Sequence, residues 1–171
     1  MTAPVSNELL GELHRLMAEE LDAFLRYFHL RFCLRDADRM AAESFFDKAM
    51  DETLAHAKAI ASQIRLLGAS PKVNIRLEAE GGALDVKGAL DDALIFEQQA
   101  LDAYRDMLPR VANHPPLRDF IRQQILTESE HVTEIAVLLA LSPSERARAL
   151  MAAGPSDPSM FAPSAQVDQH R

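Results

Sequence analysis

The stretch LRDFIRQQILTESEHVTEIAVLLAL, residues 117–141, decides the fold of this chain. Its apolar residues recur every three or four positions, which predicts a long amphipathic helix. Glu128 and His131 are three residues apart, about 60° around a helix, so both side chains reach one point beside its axis. Such groups on a core-facing helix are costly to bury unless something neutralises them, and a bound metal ion would do so.

Three further stretches have the same helical period, and each carries a glutamate, joined on one of them by a histidine. They add Glu20 on the first helix, Glu52 with His56 on the second, and Glu97 on the third. The predicted helices run from Ser6 or Asn7 to about Leu34, from the break at 35–38 to Gly68, from Asp85 or Val86 to 109–113, and from 117 to about Leu141.

Carboxylates and imidazoles at this spacing are what a di-metal site inside a four-helix bundle requires. Carboxylates can bridge two cations and a neutral imidazole gives each metal one nitrogen, a donor set that suits iron or manganese. The four carboxylates of Glu20, Glu52, Glu97 and Glu128 would balance two divalent ions. Glu52 and His56 are four residues apart, about 40° around the helix, which still permits shared coordination.

The lengths of the connections between these helices predict the topology of the bundle. Short breaks at 35–38 and 114–116 make two antiparallel hairpins, and the irregular stretch 69–85 predicts an extended crossover between them. This is the connectivity of a ferritin-like four-helix bundle, so we expect an all-α fold. Ser142, Pro143 and Glu145 predict the start of a short helix to about Ala152. We expect one domain over 1–154 and a disordered tail over 155–171, which is rich in Pro, Ser and Ala.

Composition narrows the class of protein. A formal charge of -8 argues against a nucleic-acid partner held by phosphate contacts and suits a protein that attracts cations. The single cysteine, Cys33, forms no intramolecular disulfide, which favours a reducing compartment. The sequence offers neither a signal peptide nor a stretch of twenty apolar residues, so we expect a soluble, cytoplasmic protein with no membrane partner.

The chain resembles the bacterioferritin and ferritin branch of the diiron-carboxylate proteins over roughly residues 7–141. That resemblance implies that the glutamates and histidines of the motifs bind iron, and that Tyr27 lies near the site as a redox or hydrogen-bonding residue. The matching segments are ELDA at 20–23 with Tyr27 beyond it, LAHA at 54–57, ALIFE at 93–97 and ILTESEH at 125–131.

The second helix departs from the family pattern. In the family its glutamate lies three residues before the histidine, where this chain has Thr53, and Glu52 is displaced by one. Either Glu52 reaches the site from four residues away, a single-turn π-bulge rotates it inward, or one metal position is weak or lost. Asp47 and Asp51 are the other donors on this helix. The methionine that binds haem in bacterioferritin is also missing after Glu52, so haem is not implied.

The resemblance implies two iron ions per chain, with manganese as an option, and a ferroxidase that oxidises Fe(II) with O2 or H2O2. One interpretation is iron storage in a hollow homo-oligomeric cage. The alternative is a non-storage oxidase or peroxidase of rubrerythrin type, with a dimer as its assembly, which the displaced Glu52 favours. A third, non-enzymatic interpretation is a helical interaction module, which would have to bury its carboxylates without cations.

Overall fold

The computed structural model describes residues 6–35, 38–74 and 82–153 as a bundle of α-helices. A short 3-10 turn at Leu108–Val111 follows the third helix. The predicted four-helix bundle with a short C-terminal helix is confirmed, and the predicted tail over 155–171 lies outside the described residues. The helices are α1 Asn7–Cys33, α2 Arg39–Leu66, α3 Val86–Met107, α4 Pro115–Ala140 and α5 Pro143–Ala153.

Local chemistry fixes the helix ends. The Ser6 hydroxyl accepts a hydrogen bond from the Leu9 N–H at 3.1 Å, and Asp85 accepts one from the Gly88 N–H at 2.6 Å, as N-caps do. Gly68 ends α2 in the left-handed region with φ at 82°, where a residue without a Cβ is not strained. One expected boundary was wrong. Pro115 opens α4 instead of belonging to the preceding turn, because the first turn of a helix needs no N–H from its proline.

The crossover is attached to the bundle at both of its described ends. Near its start the Ser70 carbonyl lies 3.1 Å from His14 Nε2 on α1. At its end Leu84 pairs with the turn after α1: its N–H donates to the Cys33 carbonyl at 3.0 Å and its carbonyl accepts from the Arg35 N–H at 3.1 Å. This attachment fits the expected extended crossover, although residues 75–81 lie outside the described part.

A polar layer divides the apolar core into two halves. One half is built around Tyr27, Phe46 and Leu90, and the other around Leu13 and Ile60. Between them each of the four long helices contributes at least one buried polar side chain. These residues are Glu20, Thr53, Glu97, Gln124 and Glu128. The helices therefore present their polar groups to one another at mid-height, where apolar layers above and below shield them from water.

Helix α5 closes one end of the bundle. Its Leu150 is buried in the apolar half around Phe46, and its Glu145 accepts a hydrogen bond from the Ser142 N–H at 3.1 Å. The buried Arg146 guanidinium donates to the carbonyls of Leu138 and Leu141 at 2.8 and 2.9 Å, which satisfies the C-terminal end of α4. Among the described helices, none is long and apolar enough to cross a membrane.

Candidate metal centre

Three carboxylates from three different helices lie at the middle of the polar layer. Glu20 on α1, Glu97 on α3 and Glu128 on α4 expose only 5%, 7% and 2% of their surface. Burying several like charges is unfavourable unless cations or protons compensate them. The imidazoles of His56 and His131 approach this cluster from α2 and α4, and both are mostly buried.

The first group of donors consists of Glu20, His56 and Glu128. His56 Nδ1 lies 2.9 Å from Glu128 Oε1 and 3.6 Å from Glu20 Oε2. One donor atom from each residue lies within 4.8 Å of the others, which is close enough to hold a single metal ion.

The second group consists of Glu97, Glu128 and His131, with its donor atoms within the same 4.8 Å limit. His131 Nδ1 lies 3.1 Å from Glu97 Oε2 and 3.7 Å from Glu128 Oε2. The two imidazole rings stack nearly parallel, with centroids 5.9 Å apart. Glu128 therefore faces both groups with different oxygens, Oε1 toward His56 and Oε2 toward His131.

Two tyrosine hydroxyls link α1 to α3 across the bundle, one at each group of donors. The Tyr27 hydroxyl on α1 donates to Glu97 on α3, and the Tyr104 hydroxyl on α3 donates to Glu20 on α1. Each tyrosine follows a site glutamate by seven residues on its own helix, two turns along the same face. The position of Tyr27 agrees with the expected neighbourhood, whereas sequence reasoning missed Tyr104. The repeated Glu-x6-Tyr spacing was the signal that would have found it.

The structure places Glu52 beside the site and outside both groups. Helix α2 is an unbroken α-helix from Arg39 to Leu66, so it lacks the bulge that would have turned Glu52 inward. Successive residues of a helix differ by about 100° in direction. Thr53 therefore takes the inward position, and its hydroxyl donates to the Ala49 carbonyl at 2.6 Å. Glu52 reaches only the far side of His131, with Oε2 3.4 Å from Nε2.

The two other α2 carboxylates that the sequence suggested do not belong to either group. Asp47 forms an ion pair with Arg31 of α1, with Oδ1 2.6 Å from Nε. Asp51 is exposed.

The polar layer also contains a buried amide, that of Gln124, one turn before Glu128 on α4. Gln124 Oε1 has no hydrogen-bond donor among the described residues. Sequence reasoning offered no reason to single out that glutamine.

The electrostatics of the cluster hold protons on the imidazoles when no metal is bound. Burial favours the neutral imidazole, but the carboxylates of Glu128 and Glu20 outweigh it and raise the pKa of His56 to about 10. The same balance, with Glu128 and Glu97, raises the pKa of His131 to about 11.

The pKa values of the three buried carboxylates shift in opposite directions. Burial and the charge of Glu128 raise the pKa of Glu97 to about 7, against the effect of His131. Burial also raises the pKa of Glu20. Glu128 is buried too, but its contacts with His131 and His56 lower its pKa to about 2. Glu128 is thus the permanent anion at the centre of the cluster.

This donor set fits a pair of divalent cations. Each group offers oxygen and imidazole nitrogen, the ligands that iron and manganese accept. The 2.9 Å contact between His56 Nδ1 and Glu128 Oε1 is not aligned as a hydrogen bond, so Oε1 is a buried acceptor without a donor among the described residues. A buried oxygen of this kind is costly when unpaired, and a nearby cation offsets that cost: the His56 imidazolium in the metal-free protein, or a metal ion when one is bound.

A groove between α1 and α3 lies beside this cluster. Its volume is about 660 Å³, and Glu20 and Tyr104 lie among its lining residues. The lining carries charges of both signs, and Asp22 forms an ion pair with Arg26 at 2.7 Å within it.

Comparison with known proteins agrees with this architecture. The model of the ferritin-like domain family matches residues 10–143. The chain belongs to the ferritin-like domain family. The crystal structure of a ferritin-like, diiron-carboxylate protein from Bacillus anthracis str. Ames superposes with a TM-score of 0.70 at 26% identity. That match covers 79% of the ferritin-like chain described here and 99% of the other. No curated protein matches the sequence.

Proposed function

We propose that this protein is a diiron ferroxidase. The observation that supports this best is Glu128, a buried carboxylate shared by two groups of donors that each include one histidine. The relative from B. anthracis is described as a diiron-carboxylate protein, and the donor set of this chain suits the same metal pair.

Each group would hold one Fe(II) as substrate. Glu20 and His56 hold one ion, Glu97 and His131 hold the other, and Glu128 lies between them. Each of the two bound Fe(II) ions gives up one electron. With two protons, these two electrons reduce O2 to H2O2, or, when H2O2 is the oxidant, reduce it to two waters. Coupling the two oxidations avoids single-electron reduction of the oxidant.

The residues of the chain prepare the site for these ions. The Tyr104 and Tyr27 hydroxyls fix the carboxylates of Glu20 and Glu97, so that fewer side-chain rotations have to be frozen when a metal binds. The apolar layers on either side exclude bulk water, which strengthens the attraction between carboxylate and cation. Each imidazole loses its proton when a metal takes its nitrogen.

The proposal includes storage of the ferric product in a homo-oligomeric cage in the cytoplasm. Large apolar side chains are exposed on the outside of the bundle, including Phe28, Phe32 and Met40, and subunit contacts would cover them. A second candidate is a non-storage diiron oxidase of rubrerythrin type, which Thr53 favours. Its hydroxyl occupies the α2 position from which a ferritin glutamate would reach the metals.

The test measures Fe(II) oxidation, iron content and particle size on the same purified protein. We expect rapid oxidation by O2 or H2O2 in the wild type and loss of that activity in Glu97→Ala and Glu128→Ala. The matched control is Glu130→Ala, because Glu130 is an exposed glutamate on the same helix as Glu128. A particle of hundreds of kilodaltons that retains iron supports storage, whereas a small oligomer that turns over without mineral supports the second candidate. Equal oxidation rates in all three variants would refute both.

A further inference from the structure

Helices α2 and α4 present the same two residue types to the site in opposite order. Glu52 and Thr53 precede His56 by four and three residues, whereas Thr127 and Glu128 precede His131 by four and three. The inward position is the one three residues before the histidine, since Thr53 and Glu128 are both buried. Helix α4 therefore has a carboxylate at this inward position, and α2 has a hydroxyl.

The Glu52 carboxylate is held in a defined place outside the two groups. Its Oε2 lies 3.4 Å from His131 Nε2, and its Oε1 lies 3.6 Å from the ammonium of Lys48. Lys48 is in turn 3.7 Å from a carboxylate oxygen of Glu134 on α4. The Lys48 ammonium thus lies between Glu52 on α2 and Glu134 on α4. It contacts the Glu52 oxygen that does not face His131. Glu52 itself remains 34% exposed.

The two nitrogens of His131 face different carboxylates. Nδ1 faces Glu97 and Glu128, the other members of its donor group, and Nε2 faces Glu52 on the opposite side of the ring. A neutral imidazole that binds a metal through Nδ1 must carry its proton on Nε2. Histidines that bind metals almost always donate this second N–H to a carboxylate, a backbone carbonyl or a water, which fixes the tautomer and the ring orientation.

We propose that Glu52 is a positioning residue that holds His131 for metal binding and is not itself a ligand. The inference rests on the proposed function, because it needs a metal at the second group. This role of Glu52 makes the two metal positions unequal, because it supports the histidine of only one of them. On α4 the residue equivalent to Glu52 is Thr127, whose hydroxyl donates to the Gln123 carbonyl at 3.2 Å. Among the described residues, therefore, no carboxylate of α4 contacts His56 Nε2 as Glu52 contacts His131 Nε2.

Calorimetric titration with Co(II), followed by the Co(II) absorption spectrum, tests this assignment. The variants are Glu52→Ala, Glu52→Gln and the control Asp51→Ala, which alters the neighbouring exposed carboxylate. We expect the wild type and the control to bind two Co(II) per chain with affinities that agree within about twofold. Glu52→Ala should still bind two, with one affinity weaker by about 10- to 100-fold. Glu52→Gln keeps an oxygen that accepts from Nε2–H, so it should recover more than half of that loss on a logarithmic scale.

Three results would overturn the assignment. Equal affinities in Glu52→Ala and the control would show that Glu52 does not act on His131. Loss of one Co(II) altogether in both Glu52 variants would make Glu52 a ligand. A Gln variant as weak as the Ala variant would exclude hydrogen bonding to Nε2 as the mechanism. Wild-type protein that binds fewer than two Co(II) would instead refute the proposed function, so the two failures are distinguishable.

Discussion

Metal binding to the cluster should release protons, because the imidazoles of the metal-free protein are charged at neutral pH. The pKa of His56 is about 10 and that of His131 about 11, so both rings carry a proton at pH 7. A metal needs the lone pair that each of these protons occupies. Loading both positions must therefore expel one proton from each histidine.

The carboxylates release fewer protons than the histidines when the metals bind. With a pKa of about 7, Glu97 is half protonated at pH 7 and loses about half a proton when it becomes a ligand. Glu128, with a pKa of about 2, contributes none. We therefore expect about 2.5 protons per chain at pH 7, or more where the raised pKa of Glu20 adds to it. By linkage, the affinity for the metal pair should rise about 300-fold per pH unit around pH 7.

The same pKa shifts set the pH dependence of the metal-free protein. A histidine whose pKa is raised on folding stabilises the folded state. That stabilisation is fully present below the unfolded value of 6.5 and is lost as pH rises through 10 to 11.

Calorimetry with Co(II) in two buffers of different ionisation enthalpy measures the number of protons directly. The difference in observed enthalpy divided by the difference in ionisation enthalpy gives the protons released per chain. A second titration at higher pH should release fewer protons, because Glu97 loses more of its proton to solvent before the metal binds. Release of fewer than one proton per chain at pH 7 would refute the reasoning, since neutral histidines would then line the empty site.

Four substitutions test other parts of the structure by denaturant unfolding of the metal-free protein, with Co(II) titration alongside. Tyr104→Phe should cost about 1–3 kcal/mol, because it removes a donor from the buried Glu20; an unchanged free energy of unfolding would contradict that bond. Thr53→Glu should lower stability without metal and strengthen Co(II) binding, since it adds an inward carboxylate to the site; weaker Co(II) binding would show that α2 does not face the metals there. Gly68→Ala should cost about 1 kcal/mol through the left-handed backbone alone, because no atom obstructs a Cβ at that position. Arg146→Ala should cost about 2–3 kcal/mol through the lost bonds to the end of α4 and leave Co(II) binding unchanged.

The parts of the fold that depend on neighbouring residues could be predicted from the sequence. Helical periodicity located the long helices, and the caps at Ser6, Gly68 and Asp85 are short-range interactions that the sequence displays. Pro115 was placed in a turn because a proline signals a turn and a helix start equally well.

Spacing along the helices singled out Glu20, His56, Glu97, Glu128 and His131, which the structure brings together, but it could not decide which α2 residue faces inward. A shift of one residue turns a side chain by about 100°, so the difference between Glu52 and Thr53 depends on the rotation of α2 in the bundle. Tertiary packing sets that rotation, and no local signal reports it. The bond from Tyr104 to Glu20 joins residues 84 positions apart, so the Glu-x6-Tyr spacing could have singled out Tyr104 but not its hydrogen-bond partner.

Anomalous diffraction at the iron edge, from crystals loaded with Fe(II) without oxygen, tests the central claim most directly. We predict two iron peaks in each chain, one beside Glu20 and His56 and the other beside Glu97 and His131, with Glu128 in contact with both. Iron found only at surface carboxylates, with the polar layer empty, would contradict it.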